Sequence, residues 1–261
     1  MITFFTTCKN FIGLDKIRQY NAIRSWRKIY PDAEILIFGK EKGIQEIAKE
    51  VRGRCISDLN YGKGTALVGG TPYIDEMFIR VQKEASFSWL CYINADIITT
   101  STLKEAIQKM QACRKARQWG NCLMIGQRWD VTLDKELQFD KLDWEDKLIL
   151  FVVKNGRHHF HRGIGRGIDY FVFRKGEMWD GMPKFLVNRM WWDTYLPWYI
   201  FNIKKLPVLD ATDFAFVVHP FHPDTELPKD EVEKNKKFGE GHWMYCEDTP
   251  WVITKKKCLL R

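Results

Sequence analysis

The sequence has no run of roughly 18 apolar residues, so no segment is expected to cross a bilayer as a helix. Its first ten residues, MITFFTTCKN, carry no basic stretch ahead of a long apolar core and are not expected to act as an export signal. No Asn-x-Ser/Thr acceptor site occurs, and the seven cysteines are scattered without close pairs. An odd, dispersed set argues for reduced thiols and a cytoplasmic setting rather than a disulfide framework. Internal repeats and low-complexity tracts are missing, which sets aside solenoids and disordered tails. A concentrated basic stripe is missing as well. The net charge is +8, but only KNKK (Lys234–Lys237) and KKK (Lys255–Lys257) form runs, and both read as solvated faces. With no recognised binding motif beside them, nucleic acid is not an expected partner.

What the chain does have is 261 residues with 45% hydrophobic content, enough to fill a sizeable core. It also has 11 tryptophans, whose indole faces bury well and also stack on sugar rings. Ile2–Thr7 reads as a buried strand, Leu14–Tyr30 as a helix, Glu34–Phe38 as a second strand, Lys42–Val51 as a helix and Cys55–Leu59 as a third strand. That alternation predicts a mostly parallel central sheet with helices on its faces. Pro72 suits the first turn of a helix running to about Ser86, after the glycine-rich YGKGTALVGG. Trp89–Ile93 is the next strand. Ser101 is the expected cap of a helix to about Gln118, although Lys104 stands where a capping box would want Glu. Cys122–Ile125 and Tyr170–Phe173 read as strands, and 129–166 shows no clean period. A Trp-rich helix is expected from about Met182 to Ile200, broken by Pro197, then one or two strands in LPVLDATDFAFVVHPFHP and a charged tail from Pro228. The expectation is one α/β domain over 1–261, regular in 1–126 and less regular in 127–261.

The strand Trp89–Ile93 ends abruptly in Asn94-Ala95-Asp96. In open α/β sheets, ligands sit at the carboxyl ends of strands. A carboxylate emerging there can hold a divalent cation through oxygen, or it can simply be a turn residue.

The order of elements and YINADII together resemble the nucleotide-sugar glycosyltransferases of the GT-A fold. Their mark is a D-x-D motif at the end of a central strand, with carboxylates that hold a metal on the donor diphosphate. Here Asn94 replaces the first Asp and Asp96 matches the second. IGQRWD (Ile125–Asp130), GIDYFVF (Gly167–Phe173), WWD (Trp191–Asp193) and DATDFAFVVHPFH (Asp210–His222) follow in the order of one group of these enzymes, so the resemblance spans Ile2 to His222.

The resemblance implies a GT-A-like α/β domain whose first half, 1–126, binds the donor and whose second half, 127–261, faces the acceptor. It implies transfer of a sugar from a UDP- or GDP-sugar to a glycan or other hydroxyl acceptor. Asp96 with His219 or His222 would hold the cation, and an imidazole among oxygen ligands suits Mn²⁺ better than Mg²⁺. Asp193 would be the general base of an inverting reaction, with Asp169 its rival or a partner of sugar hydroxyls, and Trp191 and Trp192 a stacking wall. Thr6 and Thr7 would meet the nucleoside, Asn94 the ribose or a metal-bound water, Arg80 the base, and Arg128 phosphate or sugar hydroxyls.

Other readings stay open beside it. The histidines can be surface residues, Asp193 a helix cap, the threonines strand formers and Arg80 solvent-facing. GRHHFHRGIGRG lacks the strand and helix a dinucleotide fingerprint needs; His158, His159, His161 and Arg162 fit a basic loop closing over an anionic donor. WWDTYLPWYIF is either core or a peripheral membrane contact. As whole-protein rivals, a sugar-phosphate nucleotidylyltransferase would need a glycine-rich, Arg-containing loop after the first strand, which TTCKNFIG lacks. A non-enzymatic basic module and a degenerate donor-binding transferase complete the set.

Overall fold

Period-two alternation in the apolar strands decides the architecture. The computed structural model describes residues 1–62, 71–158, 167–222 and 229–261. The first half holds β1 (Thr3–Thr7), α1 (Gly13–Ile29), β2 (Glu34–Phe38), α2 (Ile44–Glu50), β3 (Arg54–Ile56), the short pair β4 (Tyr61–Gly62) and β5 (Thr71–Pro72), α3 (Ile74–Glu84), β6 (Trp89–Ile93), β7 (Ile98–Thr99), α4 (Ser101–Ala116) and β8 (Leu123–Gly126). The rest holds β9 (Trp129–Val131), α5 (Trp144–Asn155), β10 (Arg157–His158), β11 (Tyr170–Arg174), α6 (Trp192–Asn202), β12 (Val208–Asp210), β13 (Val217–Pro220), α7 (Lys229–Gly239), β14 (Trp251–Ile253) and β15 (Cys258–Leu260).

Strands from both halves form one 9-stranded sheet in the order β15-β14-β12-β8-β11-β6-β1-β2-β3. Only β11 and β15 run against the others. Its two faces separate the core. Phe4, Ile35, Ile37, Cys91 and Ile93 pack with Trp26 of α1, Ile47 of α2 and Met110 of α4. Their neighbours along the same strands, Phe5, Leu36, Phe38, Leu90 and Tyr92, pack with Phe78 of α3 and Leu196 of α6. Buried on both sides, these strands need continuous apolar sequence, which is what they have. A second sheet, β10-β9-β13-β7, stands beside the first.

Several local expectations change. Pro72 lies in β5 opposite Tyr61, and α3 begins two residues later at Ile74. Thr100, not Ser101, occupies the cap position of α4. The Ser101 N–H and hydroxyl both donate to Glu145 Oε1 at 2.6 Å, so a carboxylate from α5 serves the helix start that lacks its own acid. The Trp-rich helix starts only at Trp192, and Pro197 lies inside it without ending it. The stretch 129–166 contains α5 and two short strands, and the charged tail contains α7. Among the described residues, no helix is long and apolar enough to cross a membrane.

Candidate active site

Because β1, β2 and β6 are parallel, their carboxyl ends share one edge, and β6 delivers Asn94 and Asp96 to it. The chain turns there, with the Ile97 N–H donating to the Asn94 carbonyl at 3.0 Å, and immediately forms β7. β7 pairs with β13 through Ile98 and Val218, which places His219 and His222 beside Asp96. β13 also runs parallel to β9, with His219 opposite Asp130. A two-residue strand and its register thus bring together groups more than 120 residues apart, Asp96 and His222.

His222 Nε2 lies 3.4 Å from Asp96 Oδ2, and His219 Nε2 lies 3.7 Å from the same oxygen. One ligand atom from each of the three residues falls within 4.8 Å of the others. The opposite nitrogen of His219, Nδ1, bonds Asp130 Oδ1 at 2.8 Å. An imidazole tied to a carboxylate through one nitrogen presents the other in fixed orientation, the arrangement that supports histidine ligands of metals. Burial works to raise the Asp96 pKa, but the hydrogen bonds and charges of His219 and His222 outweigh it and hold the carboxyl well below its usual range. For His219, burial and the charge of Arg128 press the pKa down; the hydrogen bonds to Asp130 and Asp96 prevail and raise it.

A second pole forms where β11 meets β6. Tyr170 pairs with Ile93, so Asp169 falls opposite Asn94. The Asn94 N–H donates to the Asp169 carbonyl at 2.9 Å, and Asn94 Nδ2 donates to Asp169 Oδ1 at 2.8 Å. Arg128 grips both oxygens of Asp169 at 2.7 and 2.6 Å and reaches Asp130 with Nε at 3.0 Å. Asp193, in the first turn of α6, is half-buried and borders Asp169. Burial first, then the charge of Asp169, pushes the Asp193 carboxyl up to about 6; backbone N–H groups of Thr194, Asp193 itself and Ile168 oppose the shift.

The structure thus brings together Asn94, Asp96, Arg128, Asp169, His219 and His222, with Asp193 bordering Asp169. Asp130 was not singled out beforehand. The signal was there, since Arg128 and Asp130 are two apart at the start of a strand and so face the same side. Asn94, expected on a ribose or a metal-bound water, commits its amide N–H to Asp169. Arg128, expected on the donor, has its guanidinium engaged by two acids. Arg80 stays out of the cluster, on α3 in ion pairs with Asp58 and Glu84 at 2.9 Å each. Thr6 is buried and donates to the Thr7 carbonyl, whereas Thr7 Oγ1 is shut in with no partner. Trp192 is 4% exposed against Tyr92 and Phe171, so it belongs to the core rather than to a sugar-stacking wall. Of WWDTYLPWYIF, Tyr195, Leu196, Tyr199 and Ile200 are core as well. His158 lies in β10 with its ring on Trp129. His159, His161 and Arg162 lie outside the described residues, as do residues 63–70 of the glycine-rich stretch.

The charge balance bears on a cation. Among the described residues, Arg128 pairs with Asp130 and Asp169, and His219 and His222 pair with Asp96. A carboxylate beside two imidazoles suits a divalent ion or protonated imidazoles. One carboxylate oxygen and two imidazole nitrogens within ligand reach fit such an ion.

No family model and no curated protein matches the sequence. Among solved structures, the chain is similar to S. aureus TarS 1–349 in complex with UDP-GlcNAc, with a TM-score of 0.54 and 10% identity over 91% of this chain. It covers 64% of that segment, less than two thirds. M. tuberculosis glucosyl-3-phosphoglycerate synthase in complex with Mg²⁺ and UDP aligns over 91% of this chain and 75% of its own, with 11% identity and a TM-score of 0.47, too low to add to the argument. The chain therefore has a GT-A-like α/β fold, the fold it shares with that TarS segment.

Proposed function

We propose that the protein is a metal-dependent glycosyltransferase that moves a sugar from a nucleoside-diphosphate sugar to a hydroxyl acceptor with inversion at the anomeric carbon. The observation that carries this reading is the convergence of Asp96, His219 and His222 at the carboxyl end of β6 in a GT-A fold. These three residues would hold the cation, and two imidazoles beside one carboxylate favour Mn²⁺ over Mg²⁺. When bound, the cation neutralises charge on the departing diphosphate.

The other steps belong to the chain itself. Asp193 takes the proton of the acceptor hydroxyl. The acceptor oxygen bonds the anomeric carbon as the bond to the diphosphate oxygen breaks, releasing the nucleoside diphosphate. A base with a pKa near the working pH combines a deprotonated ground state with useful basicity, and Asp193 at about 6 meets that condition. Asp169 is the weaker candidate for base, because Arg128 and Asn94 already occupy its oxygens. Its part is to keep the Asp193 pKa high and the floor of the site rigid.

Since the TarS segment that shares the fold holds UDP-GlcNAc, uridine donors come first in the test. A thermal-shift screen of UDP-, GDP-, CMP- and dTDP-sugars, with and without Mn²⁺, reads binding directly, because a donor that binds the folded state stabilises it by mass action. The expected result is stabilisation by one nucleotide class that grows with Mn²⁺. Stabilisation by none of them, with salt-sensitive retention on DNA instead, overturns the reading in favour of a basic binding module.

A further inference from the structure

One side of α7 is buried, and it is polar: Glu231, Asn235 and Gly239, four residues apart. Residues at that spacing form a single stripe along a helix. Each member of the stripe grips the segment between Leu186 and Trp191, the lead into α6 and Asp193. Glu231 Oε2 accepts two bonds from the buried guanidinium of Arg189, the one from Nε at 2.6 Å. Asn235, fully buried, accepts from the Leu186 N–H at 2.8 Å and donates to the Leu186 and Met190 carbonyls at 2.9 and 3.2 Å. Gly239 leaves room for Trp191: a Cβ there would stand 2.5 Å from Trp191 Cβ.

The gripped segment is strained. Asn188 has φ 55 and Trp191 has φ 86, both positive in residues other than glycine. Such backbone persists only where its surroundings over-determine it, and it gathers at sites where geometry matters. Trp191 is the residue before α6, and its carbonyl accepts from the Tyr195 N–H at 3.0 Å. The direction in which α6 leaves, and with it the place of Asp193, is therefore set at Trp191. On the far side the Met244 N–H donates to the Thr194 carbonyl at 3.0 Å, closing the clamp.

We propose that Glu231, Asn235 and Gly239 of α7 are positioning residues for catalysis: the stripe holds Trp191 in its left-handed conformation and so fixes Asp193 against the acceptor hydroxyl. The inference rests on the reading of Asp193 as the general base. A reacting group misplaced by about 1 Å costs about 10²-fold in rate, so a small displacement at Trp191 reaches the chemistry without reaching the donor. Hydrophobic patterning does not reveal the stripe, because its buried members are not apolar.

The test compares Gly239→Ala and Glu231→Gln with Asp193→Asn. Three quantities are read: Mn²⁺–UDP affinity, turnover of UDP-GlcNAc (or of the donor the screen selects), and the pH profile of kcat. Gly239 has no positive φ, so alanine there presses on Trp191 alone. The expected result for Gly239→Ala is an affinity within about twofold of wild type, a kcat lowered about tenfold or more, and an acid limb moved down as Asp193 loses its enclosure. Glu231→Gln keeps the shape, guards against a failure of the first variant to fold, and should lower kcat about threefold in the same sense. Wild-type kcat and acid limb in both folded variants, with turnover nearly abolished in Asp193→Asn, overturn the positioning role alone. So does a loss of kcat matched by an equal loss of affinity. Wild-type turnover in Asp193→Asn overturns the base assignment and the positioning role with it.

Discussion

Asp96 and Asp193 are both half-buried carboxyls in one site, yet their surroundings push them in opposite directions. Asp96 meets two imidazoles and is held far down; Asp193 meets desolvation and a neighbouring carboxylate and rises to about 6. Pairs of acids driven apart in this way divide the work of an active site. The low one stays charged and suits a cation, whereas the high one suits proton transfer. Between them lies Arg128, which joins Asp169 beside Asp193 to Asp130 beside His219.

The largest effect is expected at Asp193, the proposed base. Asp193→Asn keeps the shape but cannot take a proton, so kcat should fall about 10³-fold while donor affinity holds; steady-state kinetics beside a Mn²⁺–donor titration checks both. At the proposed cation site, Asp96→Ala should lower turnover about 10²-fold or more and abolish its stimulation by Mn²⁺, which a metal titration of the rate reads. Survival of Mn²⁺ dependence in that variant breaks the division of labour.

Arg128 ties the two acids to stability as well. Arg128→Met removes the guanidinium that grips both oxygens of buried Asp169 and should cost about 3–5 kcal/mol, measured by denaturant unfolding. The raised acid gives a pH signature as well. A carboxyl whose folded pKa lies above its unfolded value contributes stability that is full below the unfolded pKa and lost as pH rises through the folded one. For Asp193 that window runs from the ordinary 3.8 to about 6. Asp193→Asn should therefore melt higher than wild type at pH 7.5, and the gain should vanish below about pH 4. Arg80→Ala is the smallest change. Its ion pairs with Asp58 and Glu84 lie at the surface, so the melting temperature should stay close to wild type and turnover should change by less than about twofold.

The first half was legible because both faces of its strands are apolar and its helices are separated by clear stops; β2 matches its expected bounds, Glu34–Phe38. The Asn94-Ala95-Asp96 turn and the late histidines were readable as a set only through their order along the chain. Their contact depends on the pairing of β7 with β13, two short strands that carry no periodic signal. Segment 129–166 hid α5 because that helix keeps Leu150 and Val153 exposed and Trp144 and Leu148 buried, blurring the pattern. α7 was hidden for a different reason: its buried face is Glu231, Asn235 and Gly239, which hydropathy counts as surface. Trp192 beside a candidate base invited a sugar wall, but indoles serve cores and ligands alike.

The division of roles between the two acids is read by titration of Mn²⁺ with the selected nucleotide-sugar donor into Asp96→Ala and Asp193→Asn, with turnover of both. Asp96→Ala should lose Mn²⁺-dependent donor binding, whereas Asp193→Asn should bind donor like the wild type and not turn it over. Equal loss of binding in both variants, or intact Mn²⁺-dependent binding in Asp96→Ala, would contradict it.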